Sequence, residues 1–402
     1  MKTKRIVSFR QAARFELRGV AFILFLCALL SLSACSQKEP RPSIPLITSE
    51  PPTTARPTEP PDAKLDKMIS DMTLEEKVGQ MFFARCPDTN AAEAVSQYHI
   101  GGYVLFGQDF FNKTKEEVVG NIQSYQQAAD IPLLIGVDEE GGDVVRVSDN
   151  MYFSDTPFAS PKNNYLSGGW DAVQTTETAK AEMLTSIGVN VNLAPVCDVV
   201  SDPNAFMYSR SFSDKTDEVS EFVTKVVSIA SEHHLGSVLK HFPGYGNNVD
   251  THTGIAVDER ELGDIQTNDL PPFQKGIDAG ADCVMVSHNI VNCWDSKTPA
   301  SLSPTVHQYL RKDMKFDGVI ITDDLVMEAI TQYTGSDTSA VAAAKCGNDM
   351  LCCSDLETQY PAVLSAVQNG DIPEKQVDES VKRILKWKQK LGLISEKTSD
   401  RP

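Results

Sequence analysis

The residues best suited to chemistry lie in one short segment between Lys240 and His252. Lys240 and His241 end an apolar run, and a loop rich in glycine, proline and asparagine then leads to Asp250 and His252. Glycines let such a loop adopt positive φ angles and fold over a ligand. A carboxylate two residues before a histidine can accept its ring N–H and leave the other nitrogen for proton transfer. The same spacing occurs in ordinary turns, so the pair alone is a candidate acid–base dyad and no more.

A second candidate is the carboxylate pair Asp323 and Asp324, which directly follows an apolar run at residues 318–322. A carboxylate can act as a nucleophile and form a covalent intermediate. Aspartate is also a common helix cap. The residue types alone therefore leave both roles open for each of the two side chains.

Eight short apolar runs could supply the elements that position these side chains. Each is followed by a stretch of helical periodicity, and near-continuous hydrophobicity is typical of parallel strands that are buried on both faces. The runs span residues 81–84, 103–106, 132–137, 189–196, 237–240, 283–287, 318–322 and 349–353. Eight such units predict an α/β fold, a (β/α)8 TIM-like barrel in a single domain. A doubly wound open sheet is the alternative.

Polar side chains follow six of these runs. They are Asp138 with Glu139, Asp198, Lys240 with His241, His288, Asp323 with Asp324, and Asp355. In a barrel the carboxyl ends of all strands lie on one rim, where catalytic residues are found. Any one of these side chains could simply cap its strand, but their convergence on one rim favours an active site.

Two helices have clear signals in the sequence. Thr73 and Glu76 form a capping-box pattern, which predicts that a helix begins at Leu74. The last helix is predicted to carry one apolar face, formed by Val377, Val381, Ile384, Leu385 and Leu391.

Four segments together resemble glycoside hydrolase family 3, in particular its β-N-acetylglucosaminidase (β-hexosaminidase) branch. Lys-His-Phe-Pro-Gly at 240–244 leads into Asp-x-His at 250–252, and residues 320–328 around Asp323 resemble the family's nucleophile segment. Residues 136–146 and Ser-Arg-Ser-Phe at 209–212 complete the set in the family's order.

This resemblance implies a retaining exo-β-N-acetylglucosaminidase that needs neither cofactor nor metal. It would remove terminal β-linked N-acetylglucosamine from peptidoglycan fragments or related glycans through a glycosyl–Asp intermediate. Asp323 would be the nucleophile and His252, oriented by Asp250, the proton donor. The sugar-binding residues implied by similarity are Asp138, Arg146, Arg210, Lys240 and His241.

The chain departs from the family pattern at three points. Tyr245 stands inside the Gly-x-Gly of the loop where a histidine is usual, and the loop is one residue shorter between Lys240 and Asp250. Asp143 occupies a position where arginine is usual. These changes put the loop geometry and the substrate preference in question.

The N-terminus predicts export. Six basic residues and one acid precede an apolar run at residues 19–34, which ends in small residues directly before Cys35. This pattern is typical of a bacterial lipoprotein signal, residues 1–35, with Cys35 as the lipidated residue; a membrane-spanning anchor is the alternative. Residues 36–62 are rich in Pro, Ser and Thr and predict a disordered linker, so the barrel domain would span residues 63–402. We expect an extracytoplasmic protein that is anchored to the membrane by lipid.

Charge and cysteine content restrict the partners. The first 35 residues contribute +5 to the net charge of −18, so the remainder carries −23. Such acidity argues against nucleic acid and against direct binding to anionic lipid. We therefore expect a carbohydrate substrate, no nucleic acid, membrane contact only through the anchor, and a monomer. The seven cysteines after Cys35 predict buried thiols, not a disulfide framework or a zinc site.

Two other functions remain open from the sequence. One is a β-glucosidase-like hydrolase of the same family, against which the Asp-x-His dyad argues. The other is a sugar-binding lipoprotein without activity, which would need two α/β lobes. His99, His233, His234 and His307 have no predicted partner and are expected at the surface or in packing.

Overall fold

The computed structural model of this chain describes residues 62–251, 254–334 and 338–395. The predicted signal, its Cys35, the linker up to residue 61 and His252 lie outside the described residues, so those predictions and the domain boundaries stay predictions. No helix within the described ranges combines the length and apolar composition needed to cross a bilayer.

Eight parallel strands form the central sheet of the described chain. They are β1 (Phe82–Arg85), β2 (Gly102–Leu105), β3 (Leu134–Val137), β4 (Val191–Asn192), β5 (Gly236–Phe242), β7 (Cys283–Val286), β9 (Val319–Thr322) and β10 (Leu351–Cys353). Two short strands, β6 (Val257–Asp258) and β8 (Ile290–Val291), pair with each other outside it. Each of the eight predicted runs overlaps one strand of the central sheet.

The strand order shows that the sheet closes on itself. Hydrogen-bonded neighbours follow the order β10-β1-β2-β3-β4-β5-β7-β9. The two ends of this series meet where Ile321 pairs with Met350, and the Thr322 N–H donates to the Met350 carbonyl at 3.3 Å. The predicted (β/α)8 barrel is therefore confirmed, and the open sheet is excluded.

Helices surround the barrel and connect its strands. They are α1 (Ala63–Asp71), α2 (Leu74–Gln80), α3 (Ala91–Tyr98), α4 (Gly107–Phe110), α5 (Lys115–Ala128), α6 (Pro161–Ser186), α7 (Thr216–Glu232), α8 (Leu262–Asn268), α9 (Leu270–Asp278), α10 (Pro304–Gln308), α11 (Glu328–Thr334), α12 (Ser339–Cys346), α13 (Leu356–Gln368) and α14 (Glu374–Lys390). The predicted capping box is present, since the Thr73 hydroxyl accepts the Glu76 N–H and the Glu76 carboxylate accepts the Thr73 N–H.

The last helix, α14, closes the amino-terminal end of the barrel. Its Ile384 and Trp387 belong to the same apolar cluster as the barrel residues Phe83 and Val238. The Trp387 ring packs against Gly236 at the start of β5, where a Cβ would lie 2.9 Å from the indole. Because α14 fills this end, the carboxyl-terminal end is left for a site.

One lysine of α14, Lys388, is fully buried. Its ammonium donates to the Gln80 side-chain oxygen at 2.6 Å. Burial lowers the pKa of Lys388 to about 7. An ammonium with one neutral acceptor is costly to bury, so Lys388 lowers the stability of the fold near neutral pH.

We expect Lys388→Met to stabilise the protein at pH 7 by about 2–4 kcal/mol, because it removes the cost of burying a charge. In the unfolded chain the lysine titrates near its usual pKa of 10.5, so between pH 7 and 10.5 the unfolded state binds the additional proton. The gain in the free energy of unfolding of the variant over wild type should therefore become smaller as the pH rises from 7 towards 10. Urea unfolding at pH 7, 8, 9 and 10 measures this.

Lys386→Met is the matched control, since Lys386 lies on the same helix, is half exposed and pairs with Asp62 at the surface. Its free energy of unfolding should differ from that of the wild type by less than about 1 kcal/mol. A stability gain for Lys388→Met that is the same at every pH would contradict the assigned cause.

Candidate active site

The carboxyl ends of the barrel strands surround a cavity of 790 Å³. Every residue predicted to bind sugar or to take part in catalysis lines this cavity, as far as the described chain extends. These residues are Asp138, Arg146, Arg210, Lys240, His241, Asp250 and Asp323. The structure thus brings together side chains from positions spread over nearly 200 residues of sequence.

Lys240 occupies the centre of a buried charge cluster. From its position on β5, its ammonium lies 2.6 Å from Asp138 Oδ1 and 2.6 Å from Glu140 Oε1. Arg210 approaches Glu140 with two nitrogens, Nε at 2.9 Å from Oε2 and Nη2 at 2.7 Å from Oε1. Two carboxylates therefore hold two cations in fixed positions.

Glu140 is ionised within this cluster. Burial by itself raises the pKa of Glu140, but the charges of Lys240 and Arg210 outweigh it and hold the pKa well below its usual range. Glu140 was not predicted as a site residue, because the run Asp138-Glu139-Glu140 does not reveal which carboxylate points inward. Only the two cations from other parts of the chain identify it.

Glu139 holds the loop that carries Arg146. Its buried carboxylate accepts the backbone N–H groups of Arg146 and Val147 at 2.8 Å each. The Arg146 side chain lines the cavity, and its Nε is buried without a hydrogen-bond partner among the described residues. A buried donor of this kind next to a cavity is suited to a ligand oxygen.

Asp198 fixes the orientation of His241. The fully buried Asp198 carboxylate accepts His241 Nδ1–H at 2.9 Å and the His241 backbone N–H at 3.2 Å. With Nδ1 protonated, Nε2 can accept from Arg210 Nη2 at 3.3 Å. Asp198 was predicted to lie on the rim but was not among the predicted site residues.

The structure distinguishes the two adjacent carboxylates. Asp324 accepts the N–H groups of Val326 and Ser354 at 3.2 Å each, and the Ser354 hydroxyl also donates to it. Burial raises the pKa of Asp324. Since α11 begins only at Glu328, Asp324 is a neighbour of that helix and not its cap. Asp323 follows β9 directly, and its Oδ1 accepts the Asp324 N–H at 2.9 Å.

The loop after β5 brings Asp250 to the cavity wall. Within this loop the Tyr245 hydroxyl and the Thr251 hydroxyl form a hydrogen bond, and both side chains are buried. His252, the predicted proton donor, directly follows and lies outside the described residues.

Several other polar residues identified in the sequence have structural roles. Asp355 caps α13 by accepting the Thr358 N–H at 3.3 Å. His288 is buried between the Ser301 hydroxyl at 2.8 Å and the Asp324 carbonyl at 3.0 Å. His307 is buried, in agreement with a packing role. Of the seven cysteines, five are buried and two are partly exposed.

A second cavity, of 360 Å³, lies near the amino ends of β1 and β2 and includes none of the predicted site residues. On its wall the ligand atoms of Glu76, His99 and Asp130 lie within 4.8 Å of one another, which is a spacing that could hold a metal ion. Glu76 already accepts the Thr73 N–H, and all three side chains are partly or fully exposed.

Glu140→Gln should destabilise the fold by roughly 3–5 kcal/mol, because it leaves Lys240 and Arg210 buried with too little negative charge. The pKa of Glu140 is lowered in the folded state, so its contribution is present above the usual carboxyl pKa of 4.5 and is lost as the pH falls below it. The difference in the free energy of unfolding between wild type and variant should therefore become smaller below pH 4.5. Urea unfolding at pH 7 and at pH 4 measures both effects.

Asp143→Asn, in the same loop but exposed, is the control and should change stability by less than about 0.5 kcal/mol. Similar losses from both substitutions would argue against a special role for the Glu140 carboxylate.

Comparison with known sequences identifies a family for this chain. The family described as "Glycosyl hydrolase family 3 N terminal domain" matches residues 73–387. A beta-hexosaminidase of Tolumonas auensis is 30% identical over 285 residues, which cover 70% of this chain and 84% of that protein. Beta-hexosaminidase A of Pseudoalteromonas piscicida is 30% identical over 330 residues, which cover 75% of this chain and 55% of that protein. The chain thus spans about half the length of the second relative.

Solved structures show the same architecture. A family 3 beta-N-acetylglucosaminidase from Paenibacillus sp. superposes with a TM-score of 0.76 at 28% identity, over 82% of this chain and 65% of that one. A beta-N-acetylhexosaminidase from Beutenbergia cavernae superposes with a TM-score of 0.72 at 26% identity, over 79% of this chain and 99% of that one. From the extent of the family match, the fold and these relatives together, the chain belongs to glycoside hydrolase family 3.

Proposed function

We propose that this protein is a retaining exo-β-N-acetylglucosaminidase that removes terminal non-reducing β-linked N-acetylglucosamine from peptidoglycan fragments or related glycans. The proposal rests on which residues line the cavity at the carboxyl ends of the strands. Asp323 reaches it from the end of β9, and Asp250, the first residue of the Asp-x-His dyad, reaches it from the loop after β5. The candidate nucleophile, Asp323, and the carboxylate that would orient the proton donor, Asp250, therefore line the same cavity.

The proposed reaction has two displacement steps. Asp323 attacks the anomeric carbon while His252, oriented by Asp250, protonates the leaving oxygen, which yields a glycosyl–Asp intermediate. His252 then removes a proton from water, and that water attacks the same carbon. Each step inverts the configuration, so the product retains it. An imidazole, with an unperturbed pKa near about 6.5, suits both proton transfers close to neutral pH.

The charge cluster supplies the proposed sugar contacts. Asp138 can accept hydrogen bonds from sugar hydroxyls, while Lys240, Arg146 and Arg210 can donate them. Glu140 holds Lys240 and Arg210, and Asp198 holds His241, before a ligand binds, so these three side chains need little reorganisation on binding. The names of the relatives, beta-hexosaminidase and beta-N-acetylglucosaminidase, favour an N-acetyl sugar over glucose.

Leaving-group dependence should separate the two catalytic roles. Asp323→Ala should abolish turnover of both an aryl β-N-acetylglucosaminide and the unactivated disaccharide chitobiose, because neither can react without a nucleophile. His252→Ala should lower kcat for chitobiose by about 10²- to 10⁴-fold and affect the aryl substrate far less, since a good leaving group needs little protonation. Steady-state kinetics on both substrates measure this.

The matching controls test the mechanism and the alternatives. Proton NMR of the first product should show the β-anomer. Intact-protein mass spectrometry with a slow substrate should show an adduct of one sugar on the wild type and none on Asp323→Ala. An α-product, or normal turnover by Asp323→Ala, would overturn the assignment. Faster cleavage of an aryl β-glucoside would favour a β-glucosidase, and binding without any cleavage would favour a sugar-binding protein.

We further propose that the enzyme is a monomer outside the cytoplasm, anchored to the membrane by lipid on Cys35. The support is the basic N-terminus, the apolar run and the small residues before Cys35. A tether formed by residues 36–62 would let the barrel reach wall fragments near the membrane.

Cys35→Ser should block lipid attachment and signal cleavage at this position. Metabolic labelling with a radioactive fatty acid should mark the wild type and not the variant. Equal labelling of the two proteins would contradict an anchor at Cys35, and an unlabelled wild type that remains in the membrane fraction would favour the membrane-spanning alternative.

A further inference from the structure

We infer that the hydrogen bond between the Tyr245 and Thr251 side chains positions the loop that carries the acid–base dyad. We call this pair the Tyr245–Thr251 latch. Tyr245 is in this view a positioning residue for proton transfer, acting through Asp250 and His252. The inference rests on the proposed function, whose proton donor lies in this loop.

The latch joins the two ends of the loop. Tyr245 lies three residues after the end of β5, and Thr251 lies between the two residues of the dyad. Their side-chain oxygens form a hydrogen bond, and the side chains are 1% and 0% exposed. Between them the Asn247 side-chain oxygen accepts the N–H groups of Ser201 and Asp202 at 3.3 and 3.2 Å, whereas Val249, nearer the dyad, is 65% exposed. The latch is therefore a restraint on the dyad end of the loop, beyond the point that Asn247 holds.

The tyrosine end of the latch is fixed to the sugar-binding side of the cavity. The Tyr245 N–H donates to Asp198 at 2.7 Å, and the same carboxylate holds His241. The Tyr245 ring meets the His241 ring edge-on, with centroids 5.3 Å apart. A continuous path of contacts thus leads from His241 through Asp198 and Tyr245 to Thr251.

The first residues of the loop are held from the other side by Arg260. Its guanidinium donates to the Gly244 carbonyl at 3.3 Å, and a Cβ on Gly246 would lie 2.6 Å from that guanidinium. Asp258 and Asp269, both buried, hold Arg260 in place with contacts of 2.7 Å each. The base of the loop is therefore rigid, and the latch transmits that rigidity to Asp250.

Tyr245 is poorly suited to donate the proton itself. Burial, and to a smaller extent the nearby Asp323 carboxylate, raise the pKa of Tyr245, so the phenol keeps its proton at neutral pH. Its hydroxyl is already bonded to Thr251. Two departures from the family pattern, Tyr245 and the shorter loop, are consistent with this role. A phenol reaches farther than an imidazole, and here its hydroxyl bonds across a loop that is one residue shorter.

The test compares Tyr245→Phe, Thr251→Val and the double variant on chitobiose and on an aryl β-N-acetylglucosaminide. Loss of one hydrogen bond should lower kcat for chitobiose by roughly threefold to tenfold, with a smaller change for the aryl substrate and little change in KM. Because both substitutions remove the same bond, the double variant should be no slower than the slower single variant. The pH profile of kcat should shift in the same direction along the pH axis in all three variants.

Tyr103→Phe is the matched control. It also removes a buried phenol, whose hydroxyl donates to the Ala91 carbonyl at 2.8 Å, but Tyr103 does not line the cavity. It should lower stability and leave the ratio of the two substrate rates unchanged. This separates a general loss of stability from loss of positioning.

Three results would overturn the latch: an unchanged substrate ratio in Tyr245→Phe, losses that multiply in the double variant, or a loss above about 100-fold on both substrates, which would indicate direct catalysis. If the wild type cleaves neither substrate, the proposed function is wrong and the latch is overturned with it. If the wild type cleaves chitobiose and only the variants behave otherwise than expected, the latch alone is wrong.

Discussion

The site depends on the burial of two cations next to two carboxylates. Lys240 and Arg210 are held by Asp138 and Glu140 at distances of 2.6–2.9 Å, and Lys240 is 2% exposed. Burial of either cation without a carboxylate would destabilise the fold strongly, since desolvation of an isolated ion is very costly. The pairing fixes side chains that would otherwise be mobile and gives the cavity a defined set of donors and acceptors.

The barrel makes this cluster possible. Parallel strands place residues after β3, on β5 and after β9 around one rim, although they are far apart in sequence. The last helix fills the opposite end with Ile384 and Trp387, so the barrel is closed there by packing. The cavity and the closed end are thus consequences of one arrangement of strands and of the side chains inside it.

Much of the site could be predicted from residue types next to strand ends, but the partners of adjacent acids could not. By residue type Asp323 and Asp324 are equivalent, and only the family resemblance selects Asp323 as the nucleophile. The contact between Ser354 and Asp324 was not predictable, because Ser354 comes from the end of β10. Glu140 and Asp198 were missed as site residues for the same reason. Their partners, Arg210 and His241, lie 70 and 43 residues away.

The sequence by itself determined the eight strands of the barrel, the capped helix at Leu74 and the family motifs, because hydrophobic periodicity and local spacing decide these features. The tertiary structure alone decided which carboxylate is buried with which cation, which of the two adjacent aspartates is bound by Ser354, and that the Tyr245 hydroxyl meets Thr251. These depend on contacts between distant segments, and such contacts leave no pattern in the local sequence.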